Sequence, residues 1–302
     1  MTRRLIAIVN DAAGSDGTTP VAGRLTDIFT DGGFDARVEL ARDGAQVAAL
    51  ARPAVRERPD IIVAGGGDGT INAVAGELLD SGIALGVLPL GTLNHFAKAL
   101  RLPADVDAAA RAIVDGAAVS IDVGEVNGRI FLNNSSLGLY PRLVRRRENQ
   151  QEQLGRNKWV AAAWAAITLL RRHRFLRVRL RLDDDVEIDR RTAIVFVGNN
   201  AYAMSGLRIG ERDRLDAGRL SIYVPRRSGR RGLLLLALRA LVGRLREAED
   251  FDALFAAALE IQTRRARVPV AIDGEVALFD APLRYRIRAG ALRVIAPREQ
   301  GG

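Results

Sequence analysis

Cysteine is absent from the 302 residues, which excludes disulfides, thiolate metal sites and a cysteine nucleophile. Histidine occurs only at His95 and His173, too few for the usual zinc ligand sets. Lysine is almost missing as well: Lys98 and Lys158 are the only two, so the net charge of +9 rests on arginine. No apolar run reaches the roughly 18 to 20 residues that a membrane-spanning helix needs. The longest are Trp159–Leu170 and Gly232–Val242, and Arg239 breaks the second. Leu5 to Val9 is shorter than the apolar region of a signal peptide and stops at Asn10-Asp11. A cytoplasmic protein is expected. GC-rich coding explains a preference for arginine over lysine, but not the excess of bases over acids. That excess favours an anionic partner. Basic stretches interleaved with aromatics are missing, so nucleic acid is not the expected partner; peripheral contact with an anionic membrane surface is.

What the chain does have is a change of grammar near residue 118. Before it, short apolar strands alternate with helical periodicity. Leu5–Val9, Ala36–Leu40, Ile61–Ala64 and Ile83–Leu88 read as strands, and Val21–Phe29, Val47–Ala51, Ile71–Leu79 and Leu93–Leu100 as helices. Repeated β-α units predict a parallel sheet covered on both faces. After it, Asn127-Gly128 between Ile121–Val126 and Arg129–Asn133 is a type I′ hairpin signal. Leu176–Leu182 alternates arginine with aliphatics, as a half-buried antiparallel strand does. Thr192–Val197, Arg219–Val224, Glu260–Arg265, Val268–Ile272, Leu283–Ile287 and Leu292–Ile295 are further strands, with helices at about 143–171 and 229–258. The expected architecture is an α/β nucleotide-binding domain over residues 1–120 followed by a mainly antiparallel β-sandwich over 121–298. Its C-terminal segment has the option of packing back on the first domain, and residues 299–302 read as a disordered tail.

The chemistry concentrates at the ends of two strands. Ile61–Ala64 runs directly into Gly65-Gly66-Gly67-Asp68-Gly69-Thr70, and a helix follows. Glycines let backbone N–H groups approach phosphate oxygens, and the helix N-terminus adds partial positive charge. No lysine follows, so this is not a Walker A loop, and the spacing is not that of the dinucleotide fingerprint. A carboxylate inside such a loop is repelled by phosphate unless it meets Mg²⁺ or takes a proton from an attacking hydroxyl. The alternative is a tight turn with a solvated Asp68. The next unit ends in Pro89-Leu90-Gly91-Thr92-Leu93-Asn94-His95-Phe96-Ala97, which adjacent parallel strands would set beside the first loop. Thr92 and Asn94 are candidates for hydrogen bonds to a nucleotide, with a helix N-cap the alternative for Thr92. His95 reads as a packing or hydrogen-bonding helix residue rather than a general base.

Gly66-Gly67-Asp68-Gly69-Thr70 followed by Pro89–Ala97 resembles the diacylglycerol kinase catalytic family, which includes sphingosine and ceramide kinases and bacterial lipid kinases. The resemblance extends over nearly the whole chain, through Asn10 with Gly14, Ile121-Asp122-Val123-Gly124, Phe131–Gly138, Gly198-Asn199-Asn200, Leu215–Leu220 and Ile272-Asp273-Gly274-Glu275. It implies an ATP- and Mg²⁺-dependent lipid kinase of the NAD kinase/diacylglycerol kinase fold, transferring the γ-phosphoryl group to a lipid hydroxyl. Asn10, Gly65, Gly66, Gly67, Gly69, Thr70, Gly91, Thr92 and Asn94 would bind the nucleotide. Asp68 would be the general base or organise metal and phosphate, Asp122 would orient the acceptor headgroup, and Glu275 would complete the acidic cluster. Metal contacts are implied at Asp68 and at Asp216, where Ala217 replaces a second acid. Asp11 stands where the family has proline. Asp68→Ala is expected to abolish transfer while preserving the fold.

For a membrane-borne acceptor, the helix with Val160, Trp164, Ile167 and Leu170 offers apolar lining, with core packing the alternative. The amphipathic stretch Arg230–Arg246 suits an interface or a packed helix. Arg142, Arg145, Arg146 and Arg147 form a basic cluster for lipid phosphates or a solvated face. Partners expected are therefore a lipid substrate at a membrane surface and anionic lipid, with a homodimer left open. Two other readings stand beside this one: an NAD kinase-like phosphotransferase acting on a soluble substrate, and a non-catalytic nucleotide- or lipid-binding protein.

Overall fold

A computed structural model of the chain describes residues 2–10, 19–138, 175–183, 186–203, 212, 214–226, 229, 232 and 250–298. The chain divides into two compact units, residues 1–123 with 289–302, and residues 124–288. Asp11, Gly14, the arginine cluster at 142–147, the helix expected at 143–171, most of that expected at 229–258 and the tail at 299–302 lie outside the described residues.

In the first unit β1 (Arg3–Asn10), α1 (Thr19–Asp31), β2 (Phe34–Ala41), α2 (Gly44–Arg56), β3 (Ile61–Gly66), α3 (Asp68–Leu78), β4 (Ala84–Pro89), α4 (His95–Ala99) and α5 (Val106–Asp115) alternate as β-α units. β3 and β4 are buried at every residue, the pattern of parallel strands covered on both faces. The parallel order is β2-β1-β3-β4. α1 packs with α5, and α2 with α3, so one helix pair covers each face. Leu5, Val9, Leu25, Phe29, Val63, Leu88 and Ile113 form part of the core between sheet and helices. α5, which opens on Asp105 accepting from Ala108 N, adds a helix to those expected.

The second unit is an antiparallel sandwich. One sheet runs β12-β11-β10-β7-β14-β15, built from β7 (Asn134–Gly138), β10 (Ile194–Asn199), β11 (Leu220–Pro225), β12 (Phe251–Ala256), β14 (Arg267–Ile272) and β15 (Glu275–Asp280). The other holds β8 (Leu176–Leu182), β9 (Val186–Thr192) and β13 (Ala258–Thr263), with β13 pairing the first half of β16 (Leu283–Ala296). Val178, Leu180, Val195, Val197, Ile222, Ile261 and Val270 interdigitate as its core, inward positions alternating with outward ones. The chain passes between the units inside β5 (Ala117–Val126) and inside β16. The turn from β5 to β6 (Arg129–Phe131) has φ of 45° at Asn127 and 83° at Gly128, the type I′ geometry that Asn-Gly favours.

Two expectations need correction. Residues 251–256, read as the end of a helix, form β12 and pair antiparallel with β11 from Leu220↔Ala256 to Pro225↔Phe251. Alanine-rich sequence favours a helix, but the free edge of β11 overrides that preference. Leu283–Ile287 and Leu292–Ile295 are a single strand, because Gly290 takes φ of +61° and lets the strand continue through what reads as a turn.

Candidate phosphate-binding site

The chain leaves β1 for β2 on one side and then returns to place β3 on the other side of β1. Such a reversal opens a crevice outside the carboxyl ends of the two central strands, where open α/β sheets bind ligands. The parallel register, Val9↔Gly65 and Gly66↔Pro89, brings the ends of β1, β3 and β4 to one level. Asn10, the glycine loop and the Pro89–Asn94 loop therefore share one edge of the sheet.

The glycine loop is short because α3 begins inside it. Gly67 is the N-cap and Asp68 the first helical residue, while Ile71 N already donates to Gly67 O. The N–H groups ahead of Ile71 have no intrahelical acceptor and carry the positive end of the helix dipole. The glycines have different jobs. A Cβ on Gly66 would meet the Thr70 side chain at 2.6 Å, and one on Gly91 would come 2.5 Å from the Cα of Gly67. Those two are demanded by close packing within and between the loops. A Cβ on Gly67 would find nothing nearer than 3.7 Å, and Gly67 has φ of −81°, which any residue adopts. The fold does not need glycine there.

Asp68 joins the two loops. Its carboxylate accepts from His95 N at 3.1 Å and from Phe96 N at 3.0 Å, capping the start of α4, and the residue is half-buried. Asn94 sits at φ 48° and ψ 46°, a left-handed conformation that asparagine tolerates. Its Oδ1 accepts from Gly91 N, and its Nδ2 donates to Pro89 O and Gly91 O. The amide thus braces its own loop. Thr92 and His95 are exposed, and the backbone N–H of His95 belongs to Asp68 rather than its ring to a packed core. Asn10 Nδ2 donates to Thr70 Oγ1 at 3.2 Å, pinning β1 to α3. Thr70 is 7% exposed.

Each of the remaining expected acids has a partner within its own unit. Asp122 is 2% exposed and accepts from Gly290 N at 2.9 Å; it holds the left-handed residue in β16. Glu275 lies in the second unit, exposed, with Arg129 Nη2 at 3.0 Å. Asp216, also in the second unit, takes Arg214 Nε at 3.0 Å and Nη2 at 3.2 Å, and this pairing holds its carboxyl below the usual range. Among the described residues no three acid or histidine side chains gather as a ready-made metal cage. Mg²⁺ does not require one, because it keeps several waters and takes one or two carboxylates besides substrate phosphates. Asp68, each of whose oxygens retains a lone pair, fits that demand.

Sequence reasoning missed a second polar centre, in the sandwich. Asp273, φ 46° in the β14–β15 turn, accepts from Leu132 N, Asn133 N and Asn134 N at 2.8 to 2.9 Å. Arg212 donates to Leu132 O and Asn133 Oδ1, and Asn199 Nδ2 donates to Leu132 O. Asn200 Oδ1 accepts from Ala217 N. The separate motifs around Asn133, Asn199, Ala217 and Asp273 are one hydrogen-bonded cluster. Burial pushes the Asp273 carboxyl up to about 6 against the pull of the three N–H groups and Arg212. The turn backbone is open although that carboxylate is enclosed. Their ordered recurrence was the available signal.

Comparison with known proteins follows the same division. The model of the diacylglycerol kinase catalytic domain matches residues 4–126, and that of the YegS C-terminal NAD kinase beta sandwich-like domain matches residues 138–296. A diacylglycerol kinase of Bacillus subtilis is 35% identical over 134 residues, 43% of this chain and 44% of that protein. A probable lipid kinase YegS-like protein of Klebsiella pneumoniae is 33% identical over 43% of this chain and 45% of its own length, so these two alignments span under half of either relative. A probable lipid kinase YegS-like protein of Pseudomonas aeruginosa is 32% identical over 251 residues, 78% of this chain and 76% of that protein. The crystal structure of a putative diacylglycerol kinase from Bacillus anthracis matches with a TM-score of 0.77 over 98% of both chains at 20% identity, a likeness of fold. With the α/β unit and the sandwich matched in order along the chain, this protein belongs to the diacylglycerol kinase catalytic-domain family, in the branch that carries the YegS-type β-sandwich.

Proposed function

We propose that the protein is a lipid kinase that transfers the γ-phosphoryl group of ATP, with Mg²⁺, to a hydroxyl of a membrane lipid such as diacylglycerol. The observation that carries this reading is Asp68: a half-buried carboxylate in the first turn of α3, inside a glycine loop at the reversal point of the sheet. Around it the α3 N-terminus supplies donors for phosphate oxygens, and Gly67 leaves room for them to approach. In the reaction the acceptor oxygen bonds to the γ-phosphorus as the bond to the bridging oxygen of ADP breaks. The hydroxyl proton passes to a carboxylate, for which Asp68 is the candidate. Mg²⁺, when bound, neutralises charge on the transferring phosphates. Asp122 acts here as a positioning residue through Gly290. Glu275 becomes available to a ligand once its exposed pair with Arg129 opens, a small cost for a surface salt bridge.

Family membership supports a lipid acceptor, as do relatives named diacylglycerol kinase in Bacillus subtilis and probable lipid kinase YegS-like in Pseudomonas aeruginosa. No helix among the described residues is long and apolar enough to cross a membrane. The test is incubation of the purified protein with labelled ATP, Mg²⁺ and a total lipid extract. A labelled lipid that disappears with Asp68→Asn is expected, and its mass identifies the acceptor. Label transferred to NAD instead, or no turnover with any acceptor, would overturn the reading.

A further inference from the structure

The outer face of the β9-β8-β13 sheet carries a row of arginines that the proposed reaction does not use. Strand register sorts that face into levels. At one level Arg181 stands opposite Glu187 on β9 and Glu260 on β13, and Arg284 of β16 pairs with the same Glu260. At the next, Arg179 stands between Asp189 and Gln262, with Asp189 Oδ1 3.1 Å from Arg179 Nε. Each of these arginines has its acid. At the third level Arg177 lies directly opposite Arg191, and Arg264, the residue that follows β13, lines the same cavity beside them. No acid partner occurs for these three among the described residues.

Like charges directly opposite across two strands are destabilising, and nothing in the packing of the sheet calls for this row. The side chains stand around a cavity of about 590 Å³ lined also by Gln262, Thr263, Arg179, Arg190 and Asp189, the last paired with Arg179. Arg191 lies over the ring of Phe175 at 5.2 Å, a stacking that holds a guanidinium in one plane. Converging guanidinium forks match the geometry of phosphate oxygens. An adjoining cavity shares Arg177, Thr263 and Arg264 and is lined by Leu176, Val268 and Pro269 as well, so apolar surface begins where the charge ends.

We propose that Arg177, Arg191 and Arg264 form a second phosphate-binding site in the sandwich unit, separate from the glycine loop and taking a terminal phosphate group. Such a group comes from a lipid headgroup or from a soluble phosphate, and two ligands separate these sources: vesicles of phosphatidylcholine with 20% phosphatidic acid, and free pyrophosphate. Two double variants of equal charge are compared with the intact chain, Arg177→Gln/Arg264→Gln in the row and Arg181→Gln/Arg284→Gln on the acid-paired level. The row variant is expected to weaken binding by about tenfold or more, the loss of charge-assisted hydrogen bonds, while the paired-level variant binds as the intact chain does. Pyrophosphate is expected to raise the melting temperature of the intact chain more than that of the row variant, a readout that stands even if the variant binds vesicles poorly for other reasons. Loss confined to vesicles assigns the site to a lipid headgroup; loss with both ligands assigns it to phosphate in either form. Equal loss in both double variants, or no difference between the row variant and the intact chain with either ligand, would overturn the site. Because the glycine loop contributes no side chain to the row, these outcomes are independent of the kinase reading.

Discussion

Asp68 and Asp273 make a matched pair. Each sits next to a glycine in a tight connection after a buried strand, and each carboxylate gathers backbone N–H groups from a distant segment. Asp68 takes two from the start of α4, and Asp273 takes three from residues 132–134. Their surroundings differ. Asp68 is half-buried beside a helix N-terminus with lone pairs to spare, so it can meet a ligand. Asp273 has an enclosed carboxylate that holds three backbone N–H groups of the chain, so it works as a bracket between β14 and β7. A local acid-glycine signature thus serves chemistry or architecture, and enclosure decides which.

The comparison breaks most sharply at Asp68. Asparagine there retains an acceptor for one of the two N–H groups but cannot take a proton, so turnover is expected to fall by about 10²- to 10⁴-fold with the melting temperature nearly unchanged. Alanine is a poorer test, because it also removes the cap of α4 at a cost of about 1 kcal/mol. Equal turnover in folded Asp68→Asn, measured with the identified lipid, would put Asp68 in the same class as Asp273.

Two glycines sharpen the same division. Gly67→Ala meets no protein atom nearer than 3.7 Å, so it is expected to fold normally and to lose nucleotide affinity by roughly tenfold, read by equilibrium titration. Gly91→Ala drives a Cβ to 2.5 Å from the Cα of Gly67; it is expected to lower stability by about 1–3 kcal/mol in a urea titration. If Gly67→Ala proved the less stable of the two, the glycine would be serving the fold.

Asp273→Asn should show the opposite profile to Asp68→Asn. Its amide presents N–H₂ where the chain presents N–H, so the sandwich is expected to lose about 1–3 kcal/mol, followed by denaturant unfolding. The same residue also sets a pH dependence. The folded carboxyl is raised from 3.8 to about 6, so between those values the folded chain binds the proton more tightly than the unfolded chain. Its contribution to stability is therefore full below about pH 4, falls as pH rises to about 6 and is flat above. Asp273→Asn should abolish that part of the slope; an unchanged slope would assign it to other groups.

Much of this was legible along the chain, and the reasons are local. Ile61–Ala64 read as a buried strand running into a glycine loop because an unbroken apolar run and a glycine cluster need no distant partner to be recognised; the strand continues to Gly66. Asn127-Gly128 read as a hairpin because left-handed φ at two successive residues is an intrinsic preference. Residues 251–256 read wrongly because a helix is a local interaction, whereas an edge strand exists only when β11 offers its hydrogen bonds. The bracing by Asn94 was illegible for a related reason: an asparagine amide is equally suited to a nucleotide and to its own loop, and only the folded loop shows its hydrogen bonds to Pro89 and Gly91.

Sequence by itself determined the class of fold, the parallel-to-antiparallel change near residue 118 and the glycine loop Gly65–Thr70 between a buried strand and a helix, since periodicity, turn preference and backbone freedom are properties of short segments. Tertiary structure alone decided that Asp68 ties two loops together, that Asp122 and Asp273 are enclosed by distant backbone, and that Arg177 faces Arg191 with no acid partner among the described residues. Each of these depends on strand register and burial, which arise between segments far apart in the chain and are written in no one of them.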